Sequence, residues 1–315
     1  MRLLMDNWEN GRAFVGLFAD EMATTDNSSA VFTLHSGNWL SNAKSNTTFE
    51  IGNGGSTAIS RSYKALRINN RIINDIDKAP LTPEQKNEIL GQAYFYRSWF
   101  YFQIIKRYGG MPIIDKVFEG GDDDIPRVTY HESHDWMMED IQKAIYMLPD
   151  SWDDPNYGRP TKIAAMALKE WAQLFDASPL MQNDLNSTEN KGYDTERAKS
   201  AAKSAYEVIR YMDGSKSAPY PYGLASKEEY TNVFYFKYPP VHQPEYIWVK
   251  RQFPNAANQN QKRTIRTFWQ YEDLAFGSGP DGNSMCCPSL NIVNMFDKKG
   301  ADGIYYPIDD PRSGY

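Results

Sequence analysis

Cysteine is nearly absent: the 315 residues hold two, Cys286 and Cys287, side by side. Neighbouring cysteines cannot staple distant elements, so no disulfide framework is expected, and no nearby Cys or His completes a metal pair. Positive charge is scarce in runs. The net charge is −6, and no basic cluster is longer than pairs such as Lys106-Arg107 and Lys250-Arg251. That excludes the footprint of a nucleic-acid or anionic-membrane binder. No stretch of about 18 apolar residues exists to span a bilayer as a helix. The opening MRLLMDNWENGRAF has neither an apolar signal core nor an early Cys to carry a lipid.

Signatures of catalysis are missing as well. There is no Gly-x-Ser-x-Gly elbow, and Gly52-Asn53-Gly54-Gly55 lacks the Lys-Ser/Thr that would make it a phosphate loop. His131-Glu132-x-His134 has its histidines at i, i+3 rather than the i, i+4 of zinc hydrolases, and Glu132 reads as a helix cap. Asp122-Asp123-Asp124 and Asp281-x-Asn283 lack calcium-loop spacing and read as solvated turns. No enzyme, metal or cofactor is therefore expected.

What the chain has is aromatic residues, 14% of the total with 21 Tyr and 8 Trp, and helices. The organising stretch runs from Thr82 to Ile114. Thr82, Pro83 and Gln85 form a capping box with Pro at the first helical position, and Gly109-Gly110 supply the stop. Apolar residues line two faces, Ile89, Ala93, Tyr96, Phe100 and Ile104 on one and Tyr94, Tyr101, Ile105 and Tyr108 on the other, as in a helix packed between neighbours.

Ser60 to Asp77 predicts an antiparallel partner for it. Thr129 with Glu132 opens another helix, Thr161 caps the next, and a last clear one runs from Asp194 to about Tyr211 with Ala198, Ala201, Ala205 and Ile209 on one face. Residues 3–22 read as an amphipathic helix, and 23–56 as a Ser/Asn/Gly-rich loop. Beyond Met212 the chain turns Pro-, Gly- and Tyr-rich, with a brief helix opened by Ser226 and Glu229, a strand candidate at Glu245–Phe253, and a short helix from Ser289. The fold class is mainly α, a tetratricopeptide-like scaffold of helix pairs with a loop-rich irregular part and few short strands.

The wording of four segments goes further. GQAYFYRSWFYFQIIKRYGGMPII, YKALRINNRIINDI, GRPTKIAAMALKEWAQLFDASPL and CPSLNIVNMFDKKG, followed by DDPRSGY, resemble the SusD/RagB family, in the family's order across nearly the whole chain. The resemblance implies a single SusD-like domain over 1–315, with a helical scaffold over 1–211 and a ligand-facing part over 212–315. It implies an outer-membrane lipoprotein, exposed at the cell surface, that binds glycan nutrients for a SusC-like TonB-dependent transporter. The family's acylated Cys and the sequence that follows its Asp-Pro-Arg segment are absent, so the chain reads as a fragment lacking both ends and the lipid anchor.

A sugar ring offers an apolar face for stacking and a rim of hydroxyls for hydrogen bonds, a combination best met by aromatic and polar side chains on loops. Two loops have that composition. One carries Asn38, Trp39 and Asn42. The other, RTIRTFWQYED, carries Arg266, Phe268, Trp269, Tyr271 and Asp273. These eight are the expected ligand-binding residues, acting by capture without catalysis. A helical-repeat scaffold for protein partners, a peptide-binding relative and, further off, a glycan-active enzyme are the alternatives.

Overall fold

The computed structural model describes residues 8–9, 13–14, 22–24, 58–118, 120, 124–182, 192–215, 222–230, 244–249, 286–307 and 310–313. The chain divides into two compact units, one of residues 1–3 with 59–251 and one of residues 4–58 with 252–315.

The first unit is helical. Its helices are α1 (Ala58–Asp75), α2 (Pro83–Tyr108), α3 (Tyr130–Met147), α4 (Lys162–Asp176) and α5 (Thr195–Gly214). The starts of α2, α3, α4 and α5 are each written in the side chain that precedes them. Thr82 and Thr129 each build a full capping box, with Gln85 and Glu132 reaching back to the cap backbone. Thr161 and Asp194 accept backbone N–H groups of α4 and α5. Such a cap is worth about 1 kcal/mol, because it satisfies donors that the helix leaves open.

The end of α2 shows why two glycines follow it. Gly109 has φ 75°, the left-handed region that only glycine enters freely. A Cβ on Gly110 would lie 1.9 Å from the Val128 carbonyl oxygen, so that position must stay bare. Arg127 then donates to the carbonyls of Gly110 and Tyr108 at 2.8 and 2.7 Å, closing the helix end from outside.

Packing follows chain order: α2 on α3, α3 on α4 and α4 on α5. The expected α1–α2 hairpin is present and antiparallel. Lys86 meets the Asp77 carbonyl near the turn, and Asn70 meets Arg97 further along. Leu66, Phe95, Tyr101, Phe102, Ile104, Ile105, Met137, Ile141 and Leu168 form the buried core, so both apolar faces of α2 are used. Arg97 sits inside this aromatic run. Its guanidinium makes a two-point contact with Asp140 of α3 at 2.5 and 2.8 Å and donates to Asn70 of α1 at 2.9 Å, between the rings of Tyr94 and Trp136. One buried cation ties three helices together.

Two expectations change in this unit. Ile209, assigned to the apolar face of α5, is 56% exposed. Residues 245–249 are not a strand. Trp248 enters the aromatic cluster of α2, edge-on to Phe95 and Trp99 at 5.0 Å, and donates to the Gly158 carbonyl. Its anchoring in that cluster takes the place of strand pairing. Ser226 and Glu229 exchange the expected capping bonds, and the first helical residue, Tyr230, is the last described residue of that stretch.

The second unit is described in short pieces. Strands β1 (Trp8–Glu9) and β2 (Ala13–Phe14) pair antiparallel, and β3 (Met22–Thr24) pairs with β4 (Cys286–Pro288). The helix expected over 3–22 is therefore replaced, where described, by strands. Asn10-Gly11, a turn dipeptide, stands in the middle of that stretch, and a helix would have to run through it. Helix α6 (Leu290–Asn294) starts at the Ser289 cap, and β5 (Asp297–Lys299) pairs with β6 (Tyr305–Pro307). Arg312 holds that hairpin from one side, paired with Asp310 and lying 4.2 Å over the Tyr306 ring.

Candidate functional site

The eight expected ligand-binding residues, Asn38, Trp39, Asn42, Arg266, Phe268, Trp269, Tyr271 and Asp273, lie outside the described residues. Two other constellations in the helical unit hold chemically capable side chains.

The first is polar and lies where α3, α4 and the start of α5 meet, around a concavity of about 530 Å³. Asp176, the last residue of α4, is its centre, with a side chain only 2% exposed. One oxygen contacts His131 Nδ1 at 2.7 Å, and the other receives Arg197 of α5 and lies 3.5 Å from His134 Nδ1. Arg197 also reaches Asp135 at 3.3 Å and Asp194 at 4.0 Å, so three carboxylates share one guanidinium.

The charges settle accordingly. A hydrogen bond from His134, helped by Arg197, pulls the Asp135 carboxyl down to about 2. Backbone N–H groups of the first turn of α5, Arg197 foremost, lower Asp194. Burial works against the charge of Arg197, but its bonds to Asp176 and Asp135 outweigh that and raise its pKa. Burial, and then the charge of Asp176, push the Tyr130 hydroxyl well above its ordinary range. Nε2 of His134 is buried without a hydrogen-bond partner. Ser200 on the same face donates to the Glu196 carbonyl, back along its own helix, rather than to an imidazole. The arrangement is an ion network that clamps α5 onto α3 and α4.

Glu132, between the two histidines, is turned away as a cap and contributes nothing to the network: its carboxylate accepts from Thr129 N and Oγ1 at 2.8 and 2.7 Å. Among the described residues, no group of three or more His, Cys, Asp or Glu side chains is placed to hold a metal ion.

The second constellation is aromatic. Trp99 of α2 contacts Phe95, Trp171 of α4 and Trp248, and Phe102 meets Trp171 and Phe175 edge-on. Most of these rings are core. Trp171 is the exception, 37% exposed, with Leu174 beside it at 57%. Sequence reading did not single out Asp176, Arg197 or Trp248. The available signal was a carboxylate, Asp176, standing directly beside the buried apolar positions of its helix.

The chain matches known proteins. Residues 6–170 match the SusD-like family described as starch-binding and associating with the outer membrane, and the chain belongs to that family. A SusD-like protein of Formosa agariphila is 28% identical over 102 residues, 32% of this chain and 20% of that protein. The crystal structure of a SusD-like carbohydrate-binding protein from Bacteroides vulgatus superposes with a TM-score of 0.60 at 14% identity, over 90% of this chain and 52% of that one. A SusD-like protein from Bacteroides fragilis is 29% identical over 64% of this chain and 34% of that one, with a TM-score of 0.49. The chain thus spans about half, or less, of the length of these relatives.

Proposed function

We propose that the protein captures oligosaccharides at the cell surface and hands them to a SusC-like TonB-dependent transporter in the outer membrane, without chemical change. The observation that carries this reading is membership of a starch-binding, outer-membrane-associated family across 6–170. The relative from Bacteroides vulgatus, described as carbohydrate-binding, supports it through the shared fold. Membrane attachment through a lipid belongs to the same proposal.

In this reading the helices are a rigid frame and the ligand is held by the two loops rich in aromatic and polar residues. Trp39 and Trp269 stack on sugar faces. Asn38, Asn42, Arg266 and Asp273 bond to hydroxyls, and Phe268 and Tyr271 widen the apolar floor. Titration of the full chain with a panel of oligosaccharides, by calorimetry and Trp fluorescence with product analysis alongside, tests this. Saturable binding without new products is the expected result. Trp39→Ala and Trp269→Ala should each weaken it about tenfold or more while helicity is unchanged, a loss of about 1.4 kcal/mol or more for a stacking ring. Undiminished affinity in both variants would remove the loops from the site, and turnover would replace capture with catalysis.

A further inference from the structure

Helices α1 to α4 all supply side chains to the hydrophobic core of the first unit, and α5 supplies none. Eleven of the 26 residues of α2 are buried, and seven of the 18 of α3. The 20 residues of α5 bury two, Ala201 and Ser204, which bring a methyl group and a hydroxyl. Two of its larger apolar side chains, Tyr206 and Ile209, are exposed. Apolar burial stabilises in proportion to the area removed from water, so this helix gains far less from it than its neighbours do.

Polar contacts hold α5 instead, and they are spread along its length. At its start Arg197 reaches Asp176 of α4 and Asp135 of α3. In its middle Ser204 bonds to the side chain of Gln173, and Glu207 lies 3.5 Å from Lys169. Near its end Tyr211 donates to Asp150, just before α4, at 2.5 Å. Asp135 and Asp150 are largely exposed, and Arg197, Lys169 and Glu207 partly so. Water and salt compete for partners of this kind, so each contact contributes little by itself. Asp176 is the exception, a buried carboxylate whose cation comes from α5.

We propose that α5 is a detachable strap: it leaves α4 as one unit while α1 to α4 stay folded, and the contact of Arg197 with Asp176 is its catch. Release withdraws the guanidinium from Asp176 and Asp135 and opens the concavity that α5 helps to line. It also bares the side of α4 that carries Lys169, Gln173 and Asp176. The core of the remaining helices is left intact, because no part of it comes from α5. Elements with few buried apolar contacts are the ones that open below the free energy of global unfolding. The inference rests on the helical unit alone and is independent of the glycan-binding loops.

Amide hydrogen exchange of the full chain, read by peptide mass spectrometry and corrected for intrinsic rates, provides the test. A helix cut off from its neighbours is at best marginally stable in water, so release appears as exchange. Protection across α5 should be uniform and at least about 100-fold below that of Phe95–Ile105 in α2. Arg197→Gln, which removes the catch, should lower protection in α5 about tenfold more and leave Phe95–Ile105 unchanged. Salt at about 0.5 M should lower it in the wild type by a smaller factor, again in α5 alone. Protection in α5 equal to that of α2 overturns the proposal. So does a gradient that rises smoothly inward from the helix ends, which is fraying, or an Arg197→Gln effect of equal size in both helices. If Arg197→Gln fails to fold, the wild-type protection pattern and its response to salt still decide.

Discussion

Two ion networks lie in the same helical frame and solve the burial of charge differently. Arg97 and Asp140 face each other in a two-point contact, with side chains 6% and 2% exposed; Asn70 takes up another guanidinium hydrogen, and half-exposed Lys143 approaches Asp140 only to 3.6 Å. Asp176 and Arg197 are unevenly matched. The carboxylate is 2% exposed, but the guanidinium is 26% exposed and shared with Asp135 and Asp194, at the edge of an open concavity. The first network joins α1, α2 and α3, and the second attaches α5. A closed pair gives a rigid joint that breaks all at once. An open, shared one can lose a member and refill with water.

The largest effect should come from splitting the closed pair. Arg97→Met strips the buried Asp140 carboxylate of its two-point partner and leaves only half-exposed Lys143 at 3.6 Å, and the expected loss is about 3–5 kcal/mol of unfolding free energy in urea. Adding Asp140→Leu should restore most of that, because the penalty lies in the orphaned charge rather than in the lost attraction. A double variant as unstable as the single one would contradict this. Asp176→Asn should cost less, about 2 kcal/mol, since Arg197 keeps Asp135 and reaches water. If it matched Arg97→Met, the distinction between the closed and open networks would fail.

The helix starts were legible in the sequence because their signals are local. Thr82 finds Gln85 three residues on, and Thr129 finds Glu132 in the same way. The networks were harder to read because their partners are distant: Arg97 and Asp140 are 43 residues apart. Yet a charge inside YFYRSWFYF already implies a buried counter-ion somewhere. The strands carried no signal of this kind. Two or three residues show no periodicity, and β3 finds its partner β4 near the other end of the chain. Trp248 sat in an apolar run of four, Tyr246 to Val249, where the pattern does not separate a strand from a plug. Legibility of the ligand loops rests on composition and family resemblance, and the described residues do not include them.

The smallest effect, and the sharpest on the open network, concerns acid. The folded-state pKa of Asp135 is lowered from 3.8 to about 2, by the hydrogen bond from His134 first and by Arg197 next. A depressed carboxyl stabilises the fold above its unfolded pKa, and that contribution is lost as pH falls through the folded value. Wild type should therefore exceed Asp135→Asn in stability above about pH 4, with the difference closing by about pH 2. The side chain is 63% exposed. Solvent screening therefore limits the difference to about 0.5 kcal/mol, and 0.5 M salt should shrink it further, whereas the penalty of Arg97→Met should hardly respond to salt. Unfolding free energies of the two proteins between about pH 5 and pH 2 give the answer. A difference that stays constant over that range would mean that Asp135 does not act through its charge, and the second network would then rest on Asp176 alone.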